Sequence, residues 1–203
     1  MDAVIPQRHD TSRIGILGGS FNPAHEGHRE ISLAALKLLQ LDAVWWLVSP
    51  GNPLKDPSSY APYPERLAEA RRIANHHRIV VSNFEERKNL QYTVDTIDAL
   101  QSLWPQMDFV WLMGADSLET FDHWKDWRRI AAMTPIAVFS RPGHEKAFEI
   151  AQAAKELGAF LMPESEAASV VGAEPPAWTF ISSTANPASA TELRKNSPPG
   201  VAQ

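Results

Sequence analysis

Short apolar runs alternate with helical stretches along most of the chain, and that alternation limits the folds open to it. Ile14–Leu17, Ala43–Val48, Ile79–Ser82, Phe109–Met113 and Ile136–Ser140 read as strands, and Trp178–Ile181 as a last one. Between them, Ile31–Leu39 places Ile31, Leu33, Ala34, Leu36 and Leu39 on one helical face, and Pro64–Asn75 carries proline in a first turn. Thr93–Leu103 aligns Val94, Ile97, Leu100 and Leu103, and Ala147–Leu157 reads as one further helix. This order predicts an α/β fold, a doubly wound parallel sheet with helices on both faces. Such sheets bind ligands beyond the carboxyl ends of their strands, where strand order reverses. The loops after Leu17, Val48, Met113 and Ser140 should therefore share one rim.

The 203 residues suit a single compact domain, placed at 13–196. Residues 1–12 read as a polar, poorly ordered leader and 197–203 as a loose tail. Pro163–Pro176, rich in Glu, Ala, Ser and Pro, reads as a mobile surface loop. The chain has no cysteine, which excludes disulfides and cysteine-ligated zinc and suits a cytoplasmic location. No apolar run approaches the roughly 18 residues of a membrane span, so no membrane partner is expected. A formal charge of −5 argues against general nucleic-acid binding, which depends on neutralising phosphates. It leaves room for a small anionic substrate, because a site needs only local positive charge. Seven tryptophans are many for this length and belong in a core or a ligand cleft.

The first strand runs into Gly18-Gly19-Ser20-Phe21-Asn22-Pro23-Ala24-His25-Glu26-Gly27-His28. Glycines let the backbone approach a phosphate closely, and a helix start beyond them offers unpaired N–H groups and about half a positive charge. Asn22 and Pro23 have the chemistry of an N-cap and first helical residue. His25 and His28, three apart, share a face, and both become cationic if a nearby phosphate raises their pKa. Gly27 removes a side chain where a nucleobase or ribose could lie. Two histidines alone are a common surface pattern, and a glycine pair alone is a common turn. In this order after an apolar strand they point to a phosphate site.

The segment resembles the signature of the nucleotidyltransferase superfamily with the His-x-Gly-His motif. The resemblance implies a Rossmann-like doubly wound fold with a short C-terminal helical element. It also implies an ATP site including Gly18, Gly19, Ser20, Phe21, His25, Gly27 and His28. The two histidines would face the triphosphate, with Ser20 near the transferred phosphate. Many members have Asp where this chain has Asn22, so Asn22 is given no catalytic role. Gly114-Ala115-Asp116-Ser117, leading to Phe121 and Trp124, is similar to the stretch that holds the pyridine nucleotide in bacterial nicotinate-nucleotide adenylyltransferases. An electron-poor pyridinium stacks well on indole, and Asp116 can accept from ribose hydroxyls. Asp116 equally suits a helix N-cap and Trp124 core packing. Gly114 and Asp116 are also expected at the ATP site.

Ser189-Ala190-Thr191-Glu192-Leu193-Arg194 resembles the family's late motif, in which the serine and arginine bind ATP phosphates. Ser189 with Glu192 is also a capping box, and a capped helix start is itself an anion site. Ile181-Ser182-Ser183-Thr184 is similar too, but no arginine stands in register, so Ser189 is preferred. Lys55, Tyr92 with Thr93, and Arg141 sit in segments resembling smaller family elements that meet the mononucleotide. A solvated loop lysine, a helix start and a turn arginine are their plain alternatives. The resemblance covers about Ile14 to Arg194.

What it implies is adenylyl transfer from ATP to nicotinate mononucleotide, giving nicotinate adenine dinucleotide and pyrophosphate in NAD biosynthesis. The alternative is a relative with another phosphorylated acceptor, such as nicotinamide mononucleotide or phosphopantetheine. The attacking phosphate is largely dianionic at pH 7, so no general base is expected. His25, His28, Ser20 and Arg194 are the expected catalytic residues, with Mg²⁺ on the ATP phosphates and no protein-held metal. Acid-or-amide preference and oligomeric state are not written in these motifs.

Overall fold

The computed structural model of the chain describes residues 12–51 and 60–182. Seven parallel strands form one sheet: β1 (Arg13–Gly19), β2 (Ala43–Val48), β3 (Ile79–Ser82), β4 (Asp108–Gly114), β5 (Ile136–Phe139), β6 (Leu161–Met162) and β7 (Trp178–Ile181). Their order is β3-β2-β1-β4-β5-β7-β6. The chain moves outward from β1 to β3, then returns to β4 on the other side of β1. Strand order thus reverses between β1 and β4, where an open α/β sheet holds its ligand.

The helices are α1 (Glu26–Leu38), α2 (Tyr63–Ala74), α3 (Phe84–Lys88), α4 (Thr93–Leu103), α5 (Ala115–Leu118), α6 (Trp127–Met133), α7 (Ala147–Ile150) and α8 (Gln152–Glu156). Successive residues of each strand point to opposite faces. Val44, Trp46 and Val48 of β2, with Val110 and Leu112 of β4, pack against Ile31, Ala35 and Leu36 of α1 and Ala70 and Ile73 of α2. Trp45 and Leu47, with Phe109, Trp111 and Met113, pack on the other face against Val94, Ile97 and Leu100 of α4 and Ile130 of α6. Both faces are covered, so the strands read as continuous apolar runs.

The expected doubly wound sheet is present, and β2, β3, α4 and β7 have the expected bounds. Four expectations need correction. The helix expected over 147–157 is two helices, because Ala151 is extended (φ −61, ψ 134). The 163–176 segment is a packed layer rather than a mobile loop: a 3₁₀ stretch, Glu164–Val170, buries Ala167 and Val170. The Arg13 guanidinium anchors this segment by donating to the carbonyls of Ala168 and Val171, and it also reaches the carbonyls of Leu39 and Gln40. Ser12, counted with the leader, already meets the sheet, accepting from Asp108 N–H at 3.0 Å. Asn22 is not the cap of α1. His25 is, with extended backbone (φ −152, ψ 168), because His25 N–H donates to His28 Nδ1 at 3.2 Å while His28 N–H donates to His25 O at 3.0 Å. The strand β6 and the helices α3, α5 and α6 had no clear sequence signal. No helix among the described residues is long and apolar enough to cross a membrane.

Candidate active site

A cavity of about 520 Å³ opens at the carboxyl rim, over the gap where strand order reverses. This size suits a bound small molecule. Gly18, Gly19, Ser20, Phe21, His25 and His28 line it from the β1–α1 turn, and Gly114, Asp116 and Arg141 from the ends of β4 and β5. Tyr92, Thr93, Trp124 and Lys125 line it as well. Gly27 is buried in the first turn of α1. Lys55, Ser189 and Arg194 lie outside the described residues.

The β1–α1 turn is rigidly built. Phe21 takes a left-handed backbone (φ 45) and wedges its ring between His28, 4.7 Å away, and Trp46, 4.9 Å away. Trp46 Nε1–H donates to Ser32 Oγ at 2.7 Å, and Ser32 Oγ–H donates to His28 O at 2.8 Å. Asn22 is buried and its Oδ1 accepts from Ala61 N–H at 3.1 Å, which ties this turn to the start of α2. Gly18 has to be glycine, because a Cβ there would stand 2.5 Å from Trp111 Cη2. At Gly114 a Cβ would meet Asp116 Oδ1 and Arg141 Nε, so those side chains would have to move.

His25 and His28 lie with ring centroids 3.9 Å apart. His28 Nδ1 accepts from His25 N–H, so a neutral His28 carries its proton on Nε2 and presents a donor. Both rings are held neutral at pH 7. Burial lowers His25 to about 4, with Arg141 adding to the effect and Asp116 opposing it. Burial, then His25 and Arg141, push His28 well below the ordinary histidine value. The pair thus offers neutral hydrogen-bond donors until an anion arrives to favour the charged form. His25 Nδ1 is buried with no partner among the described residues.

Arg141 Nε stands 3.5 Å from Asp116 Oδ1. Asp116 is in the first turn of α5, whose N-cap is Gly114, so the capping alternative does not apply to it. Trp124 meets Phe121 edge-on at 5.4 Å and Trp111 edge-on at 6.3 Å. Phe121 is fully buried, which leaves Trp124 as the ring of that pair that faces the cavity. Tyr92 is the N-cap residue of α4, and Thr93 is its first residue.

Two residues of the site carried no sequence signal. Arg66, 3% exposed, donates to the carbonyls of Ser20, Ser49, Pro50 and Ala61, and so holds the β1–α1 and β2–α2 connections together. Glu85, 7% exposed, lines the cavity, and its Oε1 accepts from Thr96 Oγ1–H at 2.9 Å. Burial raises its carboxyl to about 7, partly offset by that bond. Both sit in stretches of the sequence rich in charged residues. Ser182, of the segment set aside in favour of Ser189, donates from Oγ to Glu164 Oε2 at 2.7 Å.

Residues 16–196 match the profile of the cytidylyltransferase-like family. The chain is 48% identical over 184 residues to a probable nicotinate-nucleotide adenylyltransferase of Gluconobacter oxydans, covering 91% of this chain and 94% of that one. It is 46% identical over 182 residues to a protein of the same description from Methylorubrum extorquens, covering 90% and 98%. Among solved structures it is similar to the Plasmodium falciparum nicotinic acid mononucleotide adenylyltransferase complexed with NaAD. The TM-score there is 0.66 at 17% identity, covering 92% of this chain and 83% of that one. That likeness concerns the fold.

Proposed function

The chain belongs to the cytidylyltransferase-like family, among the nicotinate-nucleotide adenylyltransferases, and we propose that it transfers the adenylyl group of ATP to nicotinate mononucleotide. The observation that carries this is the neutral histidine pair at the start of α1, set beside the Asp116–Arg141 pair in one cavity. An oxygen of the mononucleotide phosphate attacks the α-phosphorus of ATP. The bond from that phosphorus to the bridging oxygen breaks, and pyrophosphate leaves. The attacking oxygen is already ionised at pH 7, so the residues have no proton to remove from it. Their task is to align two anions and to meet the charge that grows on the α-phosphate and the leaving group.

His28 donates from Nε2 and His25 stands beside it, on the ATP side together with Ser20 and the backbone of Gly18 and Gly19. Approach of the triphosphate raises the pKa of both rings and strengthens these bonds where charge accumulates. Trp124 offers its face to the pyridine ring, with Tyr92 and Thr93 beside it and Asp116 within reach of ribose hydroxyls. Arg141 takes the mononucleotide phosphate. Ser189, Arg194 and Lys55 complete the phosphate contacts in this proposal. Mg²⁺ enters as part of the substrate, carried on the ATP phosphates, where it neutralises charge on the leaving pyrophosphate. A cytoplasmic location, where ATP is available, is part of this proposal.

Pyrophosphate release from ATP and nicotinate mononucleotide, compared between the wild type and His28→Ala, tests the assignment. The expected loss is on the order of 10²-fold or more in kcat. A variant that keeps near-normal turnover at saturating substrates removes His28 from the chemistry.

A further inference from the structure

One buried ionisable group in the cavity wall takes no part in the proposed transfer. Glu85, in the first turn of α3, lines the cavity yet is buried. Its Oε1 lies 2.9 Å from Thr96 Oγ1, and the same hydroxyl lies 3.3 Å from the carbonyl oxygen of Tyr92, the N-cap residue of α4. A hydroxyl has one proton to give. Against an ionised Glu85, which only accepts, Thr96 gives that proton to the carboxylate and none to Tyr92. A protonated Glu85 can donate to Thr96 Oγ1 instead. Thr96 then donates to Tyr92 O, and both contacts are satisfied at once.

No lysine, arginine or histidine among the described residues pairs with Glu85, and burial, partly offset by the Thr96 bond, favours its neutral form. Strand β2, on which α3 packs, brings no titratable side chain. Glu86 follows Glu85 on α3. On α2, Tyr63 is kept protonated by burial first, then by Glu86, with a smaller part from Glu85. Arg66 of the same helix is committed to backbone carbonyls. From α4 come Tyr92 and Asp95, and Asp95 is paired with Lys125. An ionised Glu85 would therefore set negative charge without a partner in the wall of a cavity that takes anions.

We infer that Glu85 is a positioning residue that acts in its protonated form: through Thr96 it holds the Tyr92 carbonyl at the start of α4, and its neutrality keeps unpaired negative charge out of a wall that receives an anionic acceptor. It performs no step of the transfer. Burial raises its carboxyl to about 7. The competent form then falls from about half at pH 7 to about a tenth at pH 8, and the apparent affinity for the acceptor falls with it. A ligand that favours the protonated form takes up a proton on binding and binds worse as pH rises. This inference rests on the acceptor proposed above.

Kinetics with nicotinate mononucleotide and saturating ATP, from pH 6.5 to 9, compare the wild type, Glu85→Gln and Thr96→Val. In the wild type the KM for the mononucleotide should rise about fivefold from pH 7 to 8 and about tenfold from 8 to 9, with the KM for ATP steady. Glu85→Gln, which cannot ionise, should remove that rise. Thr96→Val, which breaks the relay, should show a raised KM already at pH 6.5. The same pH dependence in Glu85→Gln as in the wild type overturns the inference, as does a wild-type KM in Thr96→Val at pH 6.5. Calorimetric titration of the wild type with the mononucleotide at pH 8, in buffers of different ionisation heat, should show uptake of about one proton. No uptake overturns the inference even if neither variant folds. A wild type that makes no dinucleotide from the mononucleotide overturns the acceptor assignment, whereas turnover with a pH-independent KM overturns only the role of Glu85.

Discussion

Arg141 Nε stands 3.5 Å from Asp116 Oδ1 and ties the turn after β5 to the turn after β4. The Arg141 side chain is largely buried while that of Asp116 is partly open, so the guanidinium is held in place by a carboxylate that is still free to meet solvent or ligand. The same guanidinium helps to keep His25 and His28 neutral. One cation thus adds to the burial that keeps the histidine pair neutral, and in the proposed function it also serves the acceptor.

Removing it should show on both sides. Arg141→Ala should lower kcat/KM for the mononucleotide about ten- to a hundredfold, the range of a charged hydrogen bond. In the same variant the His25 pKa should move up from about 4 yet stay below 6.5, because burial is its larger cause. Histidine titration followed by NMR checks this, and an unchanged His25 would show that the two groups do not communicate.

Arg66 should behave as a positioning residue. It donates to four backbone carbonyls from two connections, and a single ammonium cannot reproduce that fork. Arg66→Met should therefore cost about 3 kcal/mol of stability, from buried acceptors left unpaired, and raise the KM for ATP. Arg66→Lys should recover little of either loss. Denaturant titration and ATP-dependent kinetics measure the two effects.

Glu85 makes stability depend on pH in a definite direction. Its folded pKa is raised from 4.5 to about 7, so the folded protein holds this proton more tightly than the unfolded chain. The stabilisation is fully present below pH 4.5 and is lost as pH rises through about 7. Glu85→Gln carries no such proton. Relative to the wild type it should gain about 3 kcal/mol between pH 4.5 and 8. Denaturant midpoints of both proteins across that window give the difference, and a flat difference contradicts a buried, titrating Glu85.

Trp124→Ala should raise the KM for the mononucleotide about tenfold or more, as loss of one stacked ring does elsewhere. It should leave the KM for ATP nearly unchanged. Trp124→Phe should keep part of the affinity. An equal rise in both KM values would indicate a packing role against Phe121 and Trp111.

The sheet was legible because its strands are buried on both faces, so Ala43–Val48 and Ile79–Ser82 stand out as unbroken apolar runs bounded as expected. The rim followed from the alternation, and Ser20, Asp116 and Arg141 do meet in one cavity. What escaped was decided by long-range hydrogen bonding. Asn22 has the chemistry of a cap, yet its carbonyl oxygen is taken by Ala61, and the reciprocal bonds of His25 and His28 start the helix three residues later. Arg66 and Glu85 sit among exposed charges in sequence, and only the tertiary fold buries them. The Glu- and Ser-rich 163–176 segment is polar in composition but carries Ala167, Val170 and Val171 inward, with Arg13 fastening it from 155 residues away.

The central claim concerns which bond of ATP breaks. The most direct measurement supplies ATP labelled at its α-phosphorus, with nicotinate mononucleotide and Mg²⁺, and follows the label. Adenylyl transfer predicts all of the transferred label in the dinucleotide, with unlabelled pyrophosphate formed in equal amount. Label in ADP or free AMP with no dinucleotide would contradict it.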